Sequence, residues 1–272
     1  MVAARSLVRR GWSLLGSVPL TDRARSVFAD WRRSPPLMLA AVYRRHNSAN
    51  LVRLIDAEGF QEGEVALWAL DGEHPDLAAH TVGQGPGGRF ALLRACMGAL
   101  NPTDDTWWVL ADDDVALPRK GLRRTAVVAR DMALDIAQPA HTWNSYYTYP
   151  FTLARPLLVA RQTDFVEIGP VVVVGPDGRA FLETLSDVSP MGWGIDVRWS
   201  GGSRAGLVRL GIVDLVGMRH LQRPGRSYPT AAENEALGGE LAAAGVDSVP
   251  ELQRTRRRWW VWQRSAPPEC AG

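Results

Sequence analysis

The chain has 272 residues, 46% of them hydrophobic and 22% charged, the balance of an ordinary soluble globular domain that can bury a core without cross-links. A net charge of +2 supplies no field for nucleic acid, which is excluded as a partner. The only cysteines, Cys96 and Cys270, make neither a disulfide framework nor a thiolate metal site and fit a reducing cytoplasm; the absence of an 18-residue apolar run excludes a membrane-spanning helix.

Residues 1–34 read as a basic amphipathic helix, with Val2, Leu7, Val8, Trp12 and Leu15 opposing Arg5, Arg9 and Arg10. Arg9 and Arg10 interrupt it too early for a signal peptide. Such a helix either packs on the domain or lies on anionic lipid, giving peripheral contact at the inner face of a membrane.

After Pro35-Pro36, LMLAAVYR is a buried strand of a parallel sheet. Asn47-Ser48 starts a helix to about Glu58, which Gly59 closes. EVALWALDG, from Glu64 to Gly72, is a second strand; the Gly-rich loop from Gly83 to Arg89 then leads into the helix FALLRACMGAL. TWWVLADDD is a third buried strand that runs directly into Asp112, Asp113 and Asp114. Strands alternating with helices imply βαβ units and ligands at the carboxyl ends of the strands, where Asp71 and the acidic triplet fall.

In the second half, ALDIAQPA is a short strand, HTWNSYYTYP an aromatic loop and FVEIGPVVVV an apolar run. A helix from Asp177 to about Val188, the turn MGWGID and the strand LVRLGIVD follow. Residues 230–258 read as helical and Ser265 onward as a tail. There is no internal repeat, so the division is an N-terminal segment over 1–34, one α/β domain over 35–228 and a C-terminal helical extension over 229–272.

Three adjacent carboxylates at a buried strand end repel one another and call for a hard divalent cation, Mn²⁺ or Mg²⁺, although an Asp run also suits a solvated turn. Asp196, Asp214 and His220 are candidates for a second half of that site. Two have a plainer reading: Asp196 as a helix cap after glycines, His220 as a surface or core-satisfied histidine. The eleven tryptophans offer flat faces for sugars as well as for core packing.

In order, ADDDV, IAQPA, FVEIGPVVVV, GWGID and GIVDLVGMRH resemble the GT-A glycosyltransferases over about Leu37 to Gly225, and most closely a family of uncharacterised plant and bacterial members. The resemblance implies a Rossmann-like α/β fold with a mostly parallel central sheet flanked by helices, here with terminal helical extensions. It implies a cytoplasmic enzyme that transfers sugar from a UDP-, GDP- or dTDP-type donor to a hydroxyl acceptor, either a glycan or a lipid-linked molecule. Asp112, Asp114 and His220 would hold the metal, and Asp113, Arg44, Asp71 and Arg89 would meet the nucleotide sugar. Asp196 would be the base of an inverting reaction, with Trp143, Tyr146, Tyr147 and Trp193 as the acceptor wall. The loop LDGEHPD departs from the family pattern. Two alternatives stay open: a non-catalytic carbohydrate-binding scaffold, and a haloacid-dehalogenase-type phosphatase. The latter fits poorly, because Ala116 stands where it needs Thr or Val and Lys120 is the only lysine.

Overall fold

The computed structural model describes residues 29–263, apart from residues 184, 186–187 and 224–229. The expected helix over 1–34 therefore lies almost wholly outside the described residues, as does the tail after Ser265. Among the described residues no helix is long and apolar enough to cross a membrane.

Among the described residues ten strands share one sheet. In chain order they are β1 (Leu37–Tyr43), β2 (Val65–Ala69), β3 (Thr81–Gln84), β4 (Trp107–Asp112), β5 (Val115–Ala116), β6 (Ile136–His141), β7 (Leu158–Thr163), β8 (Val171–Val174), β9 (Leu210–His220) and β10 (Thr255–Trp260). The helices are α1 (Ser48–Glu58), α2 (Arg89–Gly98), α3 (Gly121–Asp131), α4 (Ile195–Arg204) and α5 (Ala231–Ala243). Strand order is β10-β7-β9-β6-β8-β4-β1-β2-β3, with β5 paired to β9. The run β3-β2-β1-β4 is parallel, as is β6-β9. β8 enters antiparallel between β4 and β6, and β7 and β10 add antiparallel pairings at the other end.

The period-two alternation of strand side chains feeds both faces. Leu37, Leu39, Ala41 and Tyr43 of β1 join Leu51, Leu54 and Ile55 of α1 and Leu122 and Ala126 of α3 in one core. Ala40 and Val42 point the other way and pack with Phe90 and Leu93 of α2 and Trp199 of α4. Each fully buried large side chain contributes about 1.5–3 kcal/mol, so covering both faces with helices is what keeps these apolar strands out of water. Gly59 closes α1 at φ 65°, as its sequence position predicts.

Four local expectations change. Gly83 and Gln84, expected in the Gly-rich loop, instead end β3, where a Cβ on Gly83 would fall 2.3 Å from the Trp68 ring. The helix expected from Asp177 is a 3₁₀ segment ending at Leu182. IDVRWSGGSR is helix α4, which its paired glycines conceal. The helix expected over 230–258 stops at Ala243; Gly245 follows at φ 65°, and the Arg/Trp run becomes β10 on the sheet edge.

Candidate functional site

β4 ends at Asp112, and the chain turns through Asp113 and Asp114 into β5. β5 pairs antiparallel with β9, setting Val115 opposite His220, and the Leu221 N–H donates to the Asp114 carbonyl at 2.8 Å. That register brings His220 Nε2 to 3.1 Å from Asp114 Oδ1. One ligand atom from each of Asp112, Asp114 and His220 lies within 4.8 Å of the others. Two carboxylate oxygens and an imidazole nitrogen suit Mn²⁺ or Mg²⁺.

Arg89, the first residue of α2, places Nη2 at 2.6 Å from Asp112 Oδ1. Burial raises the pKa of Asp112; the Arg89 charge opposes that shift and the Asp114 charge adds to it. Burial alone would lower the pKa of His220, but its hydrogen bond with Asp114 and the charges of Asp114, Asp112 and Glu167 together outweigh burial and raise it. Asp113 turns away from this trio. It accepts the Arg44 N–H at 2.6 Å and Asn47 Nδ2 at 3.1 Å, so it fixes the loop from β1 to α1, and burial pushes its carboxyl up to about 6. Asp71 ties the same loop by accepting the Arg45 N–H at 2.7 Å.

Asp196 lies in the first turn of α4, where its Oδ1 accepts the N–H of Val197 at 2.9 Å. Burial first, then the charge of Glu167, push its carboxyl up to about 7. The preceding GWG turn needs its glycines. Gly192 has φ 86°, and a Cβ there would fall 1.9 Å from the Phe90 ring. The turn is held from α5, whose buried Glu233 accepts Ser189 Oγ at 2.6 Å and the N–H groups of Met191 and Trp193 at 3.1 and 3.4 Å. Arg198 and Glu240 clamp α4 to α5 at 2.6 Å.

A cavity of about 490 Å³ opens over these strand ends, within the usual size for small-ligand sites. Its walls include Arg44, Asp71, Arg89, Asp112, Asp113, Asp114, Asp196, His220 and Trp193. Trp143, Tyr146 and Tyr147 are not among its lining residues; they stand exposed on the loop after β6. Tyr149 and Glu167, which no sequence motif singles out, do line it. The signal for Glu167 was a lone charge inside the apolar run FVEIGP.

Asp214 is not part of the cavity. The register of β6 against β9 jumps from Pro139–Val213 to Ala140–Gly217, and the bulge sends Asp214 into the core. There it pairs with the fully buried Arg161 at 2.9 Å and accepts the Arg155 N–H at 2.8 Å. This corrects its candidacy for the metal site. Cys96 is buried and free, its thiol pushed up to about 12, so nucleophilic sulfur chemistry has no footing there. Lys120 donates to the Glu58 carbonyl at 2.5 Å and does not line the cavity, so the phosphatase alternative finds no lysine beside the triplet.

No family model and no curated protein matches the chain. Solved structures do. GalNAc-T7 with UDP, GalNAc and Mn²⁺ superimposes with a TM-score of 0.55 at 8% identity, covering 78% of this chain and 49% of that one. The chain thus spans about half the length of GalNAc-T7. The mannosyltransferase PcManGT from Pyrobaculum calidifontis, with GDP-Man and Mn²⁺, gives 0.50 at 17% identity over 83% and 70% of the two chains. S. aureus TarS with UDP-GlcNAc gives 0.52 at 10% identity over 78% and 68%. At such identities the likeness speaks for architecture, and the chain has the GT-A glycosyltransferase fold, with a candidate Asp-Asp-His cation site at the carboxyl ends of its strands.

Proposed function

We propose that the protein is a metal-dependent glycosyltransferase that moves a sugar, with inversion, from a nucleoside-diphosphate sugar to a hydroxyl acceptor. The observation that carries this reading is the assembly of Asp112, Asp114 and His220 in the same cavity as the buried Asp196. Solved structures of the same fold that contain UDP or GDP-Man together with Mn²⁺ support it. Within that fold the motifs ADDDV, GWGID and GIVDLVGMRH resemble those of the uncharacterised plant and bacterial family, and we take the chain as similar to it.

Asp112, Asp114 and His220 would hold Mn²⁺ or Mg²⁺, which when bound neutralises charge on a departing diphosphate. Arg89 contributes a second positive charge at that end of the cavity. Arg44 and Asp71 border the nucleotide side; Asp113 acts there by holding the Arg44 main chain in place. Asp196 takes the acceptor proton, and its elevated pKa suits a base working near neutrality. Trp193 supplies an inner aromatic wall, and the exposed Trp143, Tyr146 and Tyr147 an outer contact for a larger acceptor, glycan or lipid-linked. The retained base separates this reading from a non-catalytic scaffold. The same reading has the enzyme in the cytoplasm, with the basic residues 1–34 resting on anionic lipid.

A panel of UDP-, GDP- and dTDP-sugars, assayed by thermal shift with and without Mn²⁺ and then by nucleoside-diphosphate release, tests the proposal. One donor is expected to stabilise the protein only with the cation and to turn over. Binding without release favours the scaffold; no cation-dependent binding refutes the transferase.

A further inference from the structure

Glu167 shares the cavity with Asp196 and stands between β7 and β8, where its main-chain N–H donates to Gln138 Oε1 at 2.5 Å. Its Oε2 is buried 3.3 Å from His141 Nε2, and neither atom makes a hydrogen bond. His141 is fully buried, with Nδ1 at 2.8 Å from Ser145 Oγ. The same hydroxyl accepts the main-chain N–H of His220 at 2.8 Å, so the histidine beside Glu167 is tied through Ser145 to the strand that carries His220. Oε2 is sealed off beside His141, so the rest of the carboxylate is what a guest can meet, and a carboxylate buried with so few donors favours a guest that brings one. The remaining 10% exposure of the Glu167 side chain opens onto the cavity that it lines.

Asp196 and Glu167 thus present two hydrogen-bond acceptors to one guest, and Tyr149 and Trp193 line the same space. Burial first, then the charges of Asp196 and Glu167, raise the pKa of the Tyr149 hydroxyl and keep it protonated. Carboxylates for hydroxyls and aromatic faces for C–H groups form the chemistry that recognises a sugar ring. A lone alcohol would satisfy Asp196 and leave Glu167 without a donor in a site from which water has been displaced. Resting on the transferase reading above, we propose that the acceptor is a sugar with two neighbouring hydroxyls, one giving its proton to Asp196 and the other a hydrogen bond to Glu167. The acceptor oxygen forms a bond to the anomeric carbon as the bond from that carbon to the diphosphate breaks. The diphosphate leaves with the electron pair, and the proton stays on Asp196 until solvent removes it. Glu167 takes no part in the bond changes.

The test measures Mn²⁺-dependent nucleoside-diphosphate release with the preferred donor against three acceptor sets: methyl glycosides with intact neighbouring hydroxyls, their monodeoxy analogues, and simple primary alcohols. The diols are expected to exceed the monodeoxy analogue that lacks the non-reacting hydroxyl at least about tenfold in kcat/KM, with the difference carried by KM, because a site built around a hydroxyl rejects the analogue lacking it. Glu167→Gln is expected to compress that ratio towards one. A ratio unchanged in Glu167→Gln, or primary alcohols that serve as well as diols, overturns the acceptor assignment and leaves the transferase reading standing. If Glu167→Gln does not fold, the ratio in the parent protein decides: about tenfold or more supports the diol, and a ratio near one overturns it. Failure of every donor to react in the parent removes the transferase reading and this assignment with it.

Discussion

His220 Nε2 lies 3.1 Å from Asp114 Oδ1, although the two residues belong to segments on opposite sides of the aromatic loop in the sequence. The pairing of β5 with β9 makes the contact, with Val115 opposite His220 and Ala116 opposite Arg219. Two residues of strand therefore suffice to bring the imidazole to the acidic triplet, and the candidate cation site is a product of register rather than of sequence proximity.

Asp196 should control the pH dependence of transfer. With its carboxyl pushed up to about 7, the base form accumulates only as pH rises through that value, so kcat/KM is expected to climb across it and level above. Asp196→Asn should retain cation-dependent donor binding and lose about 10²- to 10⁴-fold in transfer. A flat profile, or full activity in that variant, removes Asp196 as the base.

Stability should carry the same signature. Between the ordinary value of 3.8 and about 7 the folded chain keeps a proton that the unfolded chain has released. This carboxyl's favourable contribution is thus complete below pH 3.8 and lost as pH rises through about 7. Asp196→Asn should be more stable than the parent by an amount that is larger at pH 8 than at pH 5 and reaches a few kcal/mol. Urea titrations at the two pH values measure it, and a gain independent of pH contradicts the burial argument.

Glu233 should couple α5 to the cavity. Glu233→Ala strands three donors, Ser189 Oγ and the N–H groups of Met191 and Trp193. A loss of about 1–3 kcal/mol is expected, or roughly 2–4 °C in Tm for each kcal/mol, with a raised acceptor KM as Trp193 loosens. Calorimetry and acceptor titration check both, and an unaltered Tm would show that α5 does not hold the turn.

Asp214 should matter for folding alone. Asp214→Asn leaves the guanidinium of fully buried Arg161 short of its counter-charge, at a cost of about 3–5 kcal/mol. Below the melting transition, cation-dependent donor affinity should equal that of the parent. Weakened donor binding in a variant of undiminished stability would return Asp214 to the metal site.

β1, β4, α1 and the acidic triplet are legible in the sequence because burial on both faces writes continuous apolar runs, and turn residues end them. The metal trio was readable from residue type and order, but its contact depended on the β5–β9 pairing, which two residues of strand cannot announce. Helix α4 was hidden by Gly201 and Gly202, which lower helix propensity while tertiary packing of Trp199 and Ile195 holds the segment. β10 was hidden because an edge strand of three successive arginines and two successive tryptophans shows no period-two alternation. Glu167 was hidden because a single carboxylate in an apolar run shows its worth only when His141 and Asp196 arrive from distant elements.

The measurement that tests the central claim most directly is a calorimetric titration of UDP and GDP, with Mn²⁺ and with EDTA, into the parent, Asp114→Ala and His220→Ala. The account expects one nucleotide to bind the parent only in the presence of Mn²⁺, with affinity reduced at least about tenfold in His220→Ala and abolished in Asp114→Ala. Binding that is equally tight in EDTA, or unchanged in Asp114→Ala, would contradict it.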